Sequence, residues 1–245
     1  MQLNKYLALC GVTSRRKANY LIMEGRVSLN GDTVRKLGIV VDPKSDQVRM
    51  DGQLIEIPGH YRYVLFNKPA GIITSAVDGR GRRTVIEAVG LQERVFPVGR
   101  LDLDTEGVLL LTNDGDLAYR LAHPRFEIEK IYQARVAGRI SDQAIRQLRR
   151  GVEIDPDVVV RGETRLLSRH SDRSLVEIQV HEGKKRQIKR MLRIVGFPVQ
   201  KLVRINFAGL TVDDLKTGEW RDLSEKEVDR LYLMTGMKRV KEHSA

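Results

Sequence analysis

Four consecutive apolar residues, Val108, Leu109, Leu110 and Leu111, constrain the fold of this chain more than any other stretch. A strand with one wet face alternates apolar and polar side chains, so an unbroken run predicts a buried strand at the centre of a sheet. A second apolar strand is expected over residues 63–66. Residues 132–136 and 175–180 alternate like half-exposed antiparallel strands. Helical spacing marks residues 116–121, 141–150 and 186–195. Strand patterns outnumber helical ones without a βαβ rhythm, which makes α+β the expected class.

The first 57 residues read as a separate small unit. Leu3, Tyr6 and Leu7 repeat at helical spacing before Gly11, and Ser14 is placed to cap a second helix over residues 15–24 that gathers Ala18, Leu21 and Ile22 on one side. Asn30-Gly31 and Asp51-Gly52 each lie between short apolar pairs, the strongest local hairpin signal. Pro58-Gly59 then opens a linker over residues 58–62, and a larger domain is expected over 63–236. Residues 237–245 read as a polar, frayed tail.

Charge narrows the partner. Among 245 residues, 43 Lys and Arg stand against 32 Asp and Glu, a formal net charge of +11. Such an excess favours a polyanion, either nucleic acid or an acidic membrane surface. No apolar run approaches the roughly 20 residues that span a bilayer, and the N-terminus lacks the apolar core of a signal peptide. A cytoplasmic protein with no membrane association is the expectation. The single cysteine, Cys10, excludes an internal disulfide or multi-cysteine zinc site and reads as a packed residue. The five histidines show no metal-ligand spacing. Gly79-Arg80-Gly81-Arg82-Arg83-Thr84 begins like a phosphate loop but lacks its third glycine, so no nucleotide cofactor is supported, although contact with RNA phosphates remains open.

Two stretches carry chemistry. Residues 184–193, Lys-Lys-Arg-Gln-Ile-Lys-Arg-Met-Leu-Arg, hold six cations and no acid. On a helix, Ile188, Met191 and Leu192 form the buried stripe and leave Lys185, Lys189 and Arg193 in line. Like charges at that spacing repel, so the choice lies between a solvated face and a phosphate contact. In the second stretch, residues 98–107, Asp102, Asp104 and Glu106 follow Arg100 immediately before the apolar run. If extended, Arg100, Asp102 and Asp104 share one face at the mouth of the core. Periodicity does not choose between the two aspartates. The competing readings are a loop in which one of them caps a turn and pairs with Arg100, and a metal site with Asp114 and Asp116, for which the carboxylates are too sparse.

Taken together, these motifs closely resemble the RsuA/RluB/RluE/RluF family of bacterial ribosomal RNA pseudouridine synthases. The resemblance spans nearly the whole chain. Residues 1–57 look like the small RNA-binding domain named after ribosomal protein S-four, on Leu3-Asn4-Lys5-Tyr6, Gly11 to Ala18 and Gly25 to Gly31. The larger domain resembles the catalytic domain, on Asn67-Lys68-Pro69-Ala70-Gly71, Gly99-Arg100-Leu101-Asp102, Lys130-Ile131-Tyr132 and Glu182 to Met191. Gly-Arg-Leu-Asp together with Gln-Ile-Lys-Arg-Met is specific where either alone is weak.

The resemblance implies a mixed, largely antiparallel sheet with a central cleft. It assigns Asp102 as the catalytic aspartate, leaves Asp104 outside the reacting centre, and makes Lys189 the basic partner of Asp102. A cation within about 4 to 6 Å would lower that carboxyl's pKa by roughly 1 to 3 units. Tyr132 matches the aromatic that stacks on the target uracil, and Arg100 the basic residue before the aspartate, which contacts RNA or helps hold the flipped nucleotide. Further RNA contacts fall to Lys5, Arg15, Arg16, Lys17 and Arg26 in the small unit and to Lys184, Lys185, Arg186 and Arg190 in the basic stretch. The implied reaction breaks the glycosidic carbon–nitrogen bond of a uridine, turns the uracil and forms a carbon–carbon bond, with Asp102 as nucleophile or as base. It needs neither cofactor nor metal, and a monomer suffices. Texture such as Arg186-Gln187 points to large-subunit (23S) ribosomal RNA. The alternatives are small-subunit RNA, a non-catalytic RNA-binding assembly factor, and a methyltransferase, which would require a glycine-rich cofactor loop that the chain lacks.

Overall fold

The computed structural model describes residues 1–239. The chain opens with helices α1 (Leu3–Leu9) and α2 (Arg15–Met23) and short strands β1 (Val27–Leu29), β2 (Asp32–Val34), β3 (Val48–Met50) and β4 (Gln53–Leu54). The Ser14 hydroxyl accepts the Lys17 N–H and starts α2. Asn30 and Gly31 both take positive φ, as the predicted tight hairpin requires, and so do Asp51 and Gly52. A core of Leu3, Tyr6, Leu7, Ala18, Ile22, Val27, Val41 and Val48 closes this unit. Cys10 packs against that core as expected, where burial pushes its thiol up to about 11.

The remaining elements are β5 (Tyr63–Lys68), α3 (Val85–Val89), β6 (Phe96–Pro97), β7 (Thr105–Thr112), α4 (Gly115–Ala122), β8 (Lys130–Ala137), α5 (Asp142–Arg150), β9 (Val152–Asp155), β10 (Val158–Val160), β11 (Glu163–Arg169), β12 (Arg173–Val180), α6 (Gln187–Ile194), β13 (Val199–Phe207), β14 (Trp220–Asp222) and α7 (Glu225–Met234). One sheet runs β11-β12-β8-β13-β7-β5-β14, with β6 beside β7. Only the β13–β7 pairing in it is parallel; the others are antiparallel. The sheet is therefore mixed and largely antiparallel, and its parallel join lies near the middle.

As the apolar run requires, β7 is covered on both faces. Leu109 and Leu111 join Val64, Phe66, Val85, Val89 and Leu101 in one core. On the other face, Val108 and Leu110 pack with Leu65 and with residues of α4 and α7. A third core lies where α5 and α6 cover β8, β12 and β13.

The small unit touches the large one through polar contacts. Lys5 Nζ lies 2.7 Å from Asp116, and the Arg94 guanidinium donates to the Ala8 carbonyl at 3.4 Å. Two margins differ from expectation. Arg62, at the end of the expected linker, is already tied down: its N–H donates to Asn113 and its guanidinium pairs with Asp222 at 3.0 Å. The expected frayed tail begins with packed residues, because Met237 rests on the α4–α7 core and Arg239 pairs with Glu225 and Asp229. The rest of that tail, residues 240–245, lies outside the described residues. Among the described residues, no helix is long and apolar enough to cross a membrane.

Candidate active site

Residues 102–105 form a turn rather than the extended segment the sequence pattern allowed. The Asp102 carbonyl accepts the Thr105 N–H at 3.1 Å, and only there does β7 begin. The turn wins over extension because distant residues hold its backbone. Lys68, completely buried at the end of β5, donates from Nζ to the carbonyls of Pro69 and Thr105 at 2.9 Å and of Asp102 at 3.3 Å. The Thr74 hydroxyl donates to the Leu101 carbonyl and accepts its N–H, while the Gly71 N–H donates to the Leu103 carbonyl. Burial pulls the Lys68 ammonium down to about 8, against the opposing charges of Asp104, Glu106 and Asp102. A buried lysine with this many carbonyl acceptors is a structural clamp on the Asp102 turn. No role was read for Lys68 from sequence. Its signals were its place in the Asn67-Lys68-Pro69-Ala70-Gly71 motif and at the end of a mostly apolar strand.

The cations facing this turn come from the start of α6. Lys189 Nζ lies 3.8 Å from Asp102 Oδ2, and Arg186 Nη1 lies 4.0 Å from the same oxygen. Lys189 also hydrogen-bonds Asp104, and Arg186 stands 3.7 Å from it. Asp104 does not line the cavity that holds Asp102, but its carboxylate is the nearer partner of Lys189 and so is coupled to Asp102 through that lysine. Burial raises the Asp104 carboxyl, but the hydrogen bond and charge of Lys189 outweigh it and hold the group below its ordinary value.

The helix begins at Gln187, so Lys185 is not aligned with Lys189 and Arg193 as a longer helix would have placed it. The buried Gln187 side chain prevents the extension. It accepts the Lys184 N–H and donates to Glu182, folding residues 182–186 into a loop that leaves Arg186 in a left-handed conformation.

Asp102 and Tyr132 line one cavity of about 520 Å³, with Arg100 and Lys184, Lys185 and Arg186 around them. Tyr132 rises from β8 and packs against both the α5–α6 core and the α3 core, so its ring marks the seam between them. Lys189 does not line this cavity; its side chain, 11% exposed, borders a neighbouring one with Asp104 and Arg186.

The remaining candidates divide by their partners. Arg15, Arg16 and Lys17 are exposed on α2, and Arg100, Lys184, Lys185 and Arg186 are exposed around the cavity. Three other cations expected to meet RNA are instead engaged within the protein. Lys5 pairs with Asp116, Arg26 pairs with Asp51 at 2.6 Å, and Arg190 donates to Asp155 at 2.9 Å and to the Ile154 carbonyl. In the arginine-rich loop, Asp78 takes the side chain of Arg82 and the N–H groups of Arg80 and Arg82, and Thr84 caps α3.

Residues 62–193 match the family model described as RNA pseudouridylate synthase. Over 94% of its length the chain is 40% identical to the ribosomal large subunit pseudouridine synthase B of Bacillus subtilis, covering 95% of that protein. It is 41% identical to an uncharacterized RNA pseudouridine synthase of Aquifex aeolicus, with 98% and 97% covered. A crystal structure of a pseudouridylate synthase superposes with a TM-score of 0.68 at 25% identity, covering 94% of this chain and 99% of that one. The chain belongs to the RNA pseudouridylate synthase family. It is accordingly an isomerase that acts on RNA uridines.

Proposed function

We propose that the substrate is a uridine of ribosomal RNA, in the large subunit, and that Asp102 is the carboxylate acting on it. The observation that carries this reading is the meeting of Asp102 and Tyr132 in one cavity rimmed by exposed cations. A uridine must leave its stack before its glycosidic bond can be reached, and an aromatic ring replaces the lost stacking. Tyr132 fills that role, Asp102 serves as nucleophile or base, and Lys189, 3.8 Å from its carboxylate, is its basic partner. Arg100 and residues 184–186 take the phosphates on either side.

Residues 1–57, a unit with its own sheet and core, act as an S-four-like RNA-binding domain through Arg15, Arg16 and Lys17. Residues 63–236 act as the catalytic domain. Preference for the large subunit is supported by likeness to the Bacillus subtilis enzyme that carries that name. The experiment is carbodiimide labelling with primer extension on ribosomal RNA from cells with and without the protein. Loss of a pseudouridine stop in large-subunit RNA is expected. Loss confined to small-subunit RNA moves the target there, and an unchanged pattern in both overturns the ribosomal assignment.

A further inference from the structure

Beside the catalytic cavity lies a second one of about 260 Å³. The two share Arg100, Tyr132, Glu182 and Gly183 in their walls. Lys130 and Arg204 line the second cavity at 9% and 2% exposure. Both are fixed by the sheet: Arg204 stands opposite Tyr132 in the β13–β8 register, and Lys130 stands opposite Phe207. The Phe207 ring lies 4.7 Å from the Arg204 guanidinium and 5.9 Å from the Lys130 ammonium.

These cations are incompletely satisfied. Arg204 Nε donates to the Val108 carbonyl at 2.8 Å, but its buried Nη2 makes no hydrogen bond within the protein. Lys130 Nζ donates to the carbonyls of Ile128 at 2.8 Å and His181 at 3.4 Å, which leaves one of its three protons over. Three cations, Arg100, Lys130 and Arg204, face this cavity against one carboxylate, Glu182, which Gln187 already engages. Burial first, and then the neighbouring Arg204, pull the Lys130 ammonium down to about 8, against the charge of Glu182. A buried donor without a partner is costly to keep, so a ligand that accepts its hydrogen bond answers the deficit.

We propose that this second cavity binds a backbone phosphodiester of the RNA strand, the one adjoining the nucleotide held between Asp102 and Tyr132. The inference rests on the active-site reading above, because Arg100 and Tyr132 line both cavities and so place the second directly beside the first. A phosphodiester carries a full charge and two acceptor oxygens and has no donor, which matches a lining of donors. A neutral base in the same place would leave two adjacent cations uncompensated.

The test uses a short RNA hairpin around the uridine mapped in the labelling experiment, with each phosphate flanking that uridine replaced in turn by a neutral methylphosphonate. Binding to the full-length protein is measured for each. One replacement is expected to weaken binding about tenfold, the scale of a charge-assisted hydrogen bond. Lys130→Met should then narrow the difference between the unmodified and the neutralised hairpin, with Arg100 and Arg204 still present, whereas Lys130→Arg should restore it. Equal binding of all hairpins by the unaltered protein overturns the proposal, even if Lys130→Met proves unfolded by circular dichroism. Failure of the unaltered protein to isomerise the unmodified hairpin counts against the active-site reading instead, and leaves the binding comparison to decide the phosphate site.

Discussion

The Lys189 ammonium is hydrogen-bonded to Asp104 and lies 3.8 Å from Asp102, so one cation serves two carboxylates two residues apart. The two are not equivalent. Asp102 is 31% exposed and faces the cavity, whereas Asp104 is 59% exposed and lies to the side of it. Asp104 anchors the lysine, and the anchored lysine in turn sets the field at Asp102.

That division separates two substitutions. Asp102→Asn keeps the volume and removes the charge, so pseudouridine formation is expected to vanish while RNA affinity stays within about fivefold, the scale of one exposed ion pair. Asp104→Asn frees Lys189 to move toward Asp102. Ion pairs this exposed are worth at most about 1 kcal/mol, so activity is expected to fall by about fivefold or less. Primer extension after carbodiimide labelling, with filter binding alongside, reads both. Full activity in Asp102→Asn would remove that residue from the chemistry.

An alkaline loss of activity is expected from the two buried lysines. Lys68 clamps the Asp102 turn and Lys130 lines the adjoining cavity, and burial holds both near 8. As pH rises past 8 each loses its charge, so kcat/KM should decline with a midpoint near 8. Stability should move the other way. The unfolded chain holds these protons up to about 10.4, so between pH 8 and about 9.5 it binds more protons than the native state, and the contribution of these groups to unfolding free energy rises with pH. Urea denaturation at pH 7.5 and 9.5 beside a pH–rate profile checks both signs, and a flat rate across this range would dissociate the lysines from activity.

Gly107→Ala should destabilise the protein by about 2 to 3 kcal/mol. Gly107 has φ +100°, and a Cβ there would lie 2.2 Å from the Arg204 carbonyl oxygen across the parallel join. Neither backbone can yield without parting β7 from β13. Chemical denaturation gives the loss directly, and wild-type stability would show that the join tolerates separation.

Salt dependence should sort the cations by their partners. Arg16, Lys17, Lys184 and Lys185 are exposed and, among the described residues, have no ion-pair partner. Neutralising any one should reduce the slope of log affinity against log salt by about 0.7 to 0.9 if it meets a phosphate. Arg26→Ala and Arg190→Ala should leave the slope nearly unchanged, because Asp51 and Asp155 already hold those guanidinium groups. Equal slopes for both sets would undo the distinction.

Local signals in the sequence revealed the elements they directly govern. The apolar run marked β7, Asn-Gly and Asp-Gly marked the hairpins, and Ser14 marked the helix start that its hydroxyl caps. What escaped depends on residues far apart in the chain. The turn at Asp102 is imposed by Lys68 and Thr74, and hydropathy assigns such a lysine to the surface. The early part of β13 lacks a clean alternation because its register shifts between Val199 and Lys201, and again between Arg204 and Asn206, so period-two reading breaks down there. Arg204, buried in that strand, was invisible for the same reason. The motifs located Asp102 and Lys189, but the sharing of Lys189 with Asp104 is a matter of side-chain reach that spacing does not encode.

The single parallel pairing between β7 and β13 also fixes when the enzyme can first work during its own synthesis. About one hundred residues separate the Asp102 turn from Leu202, the β13 residue that lines the cavity and pairs with Thr105. Contacts so distant in sequence close late, after the intervening elements have emerged from the ribosome. A nascent chain ending before β13 has the acid and the tyrosine but lacks a wall of the cavity that brings them together. The cavity is thus complete only once β13 has joined β7 and β8, well after the acid and the tyrosine have been made.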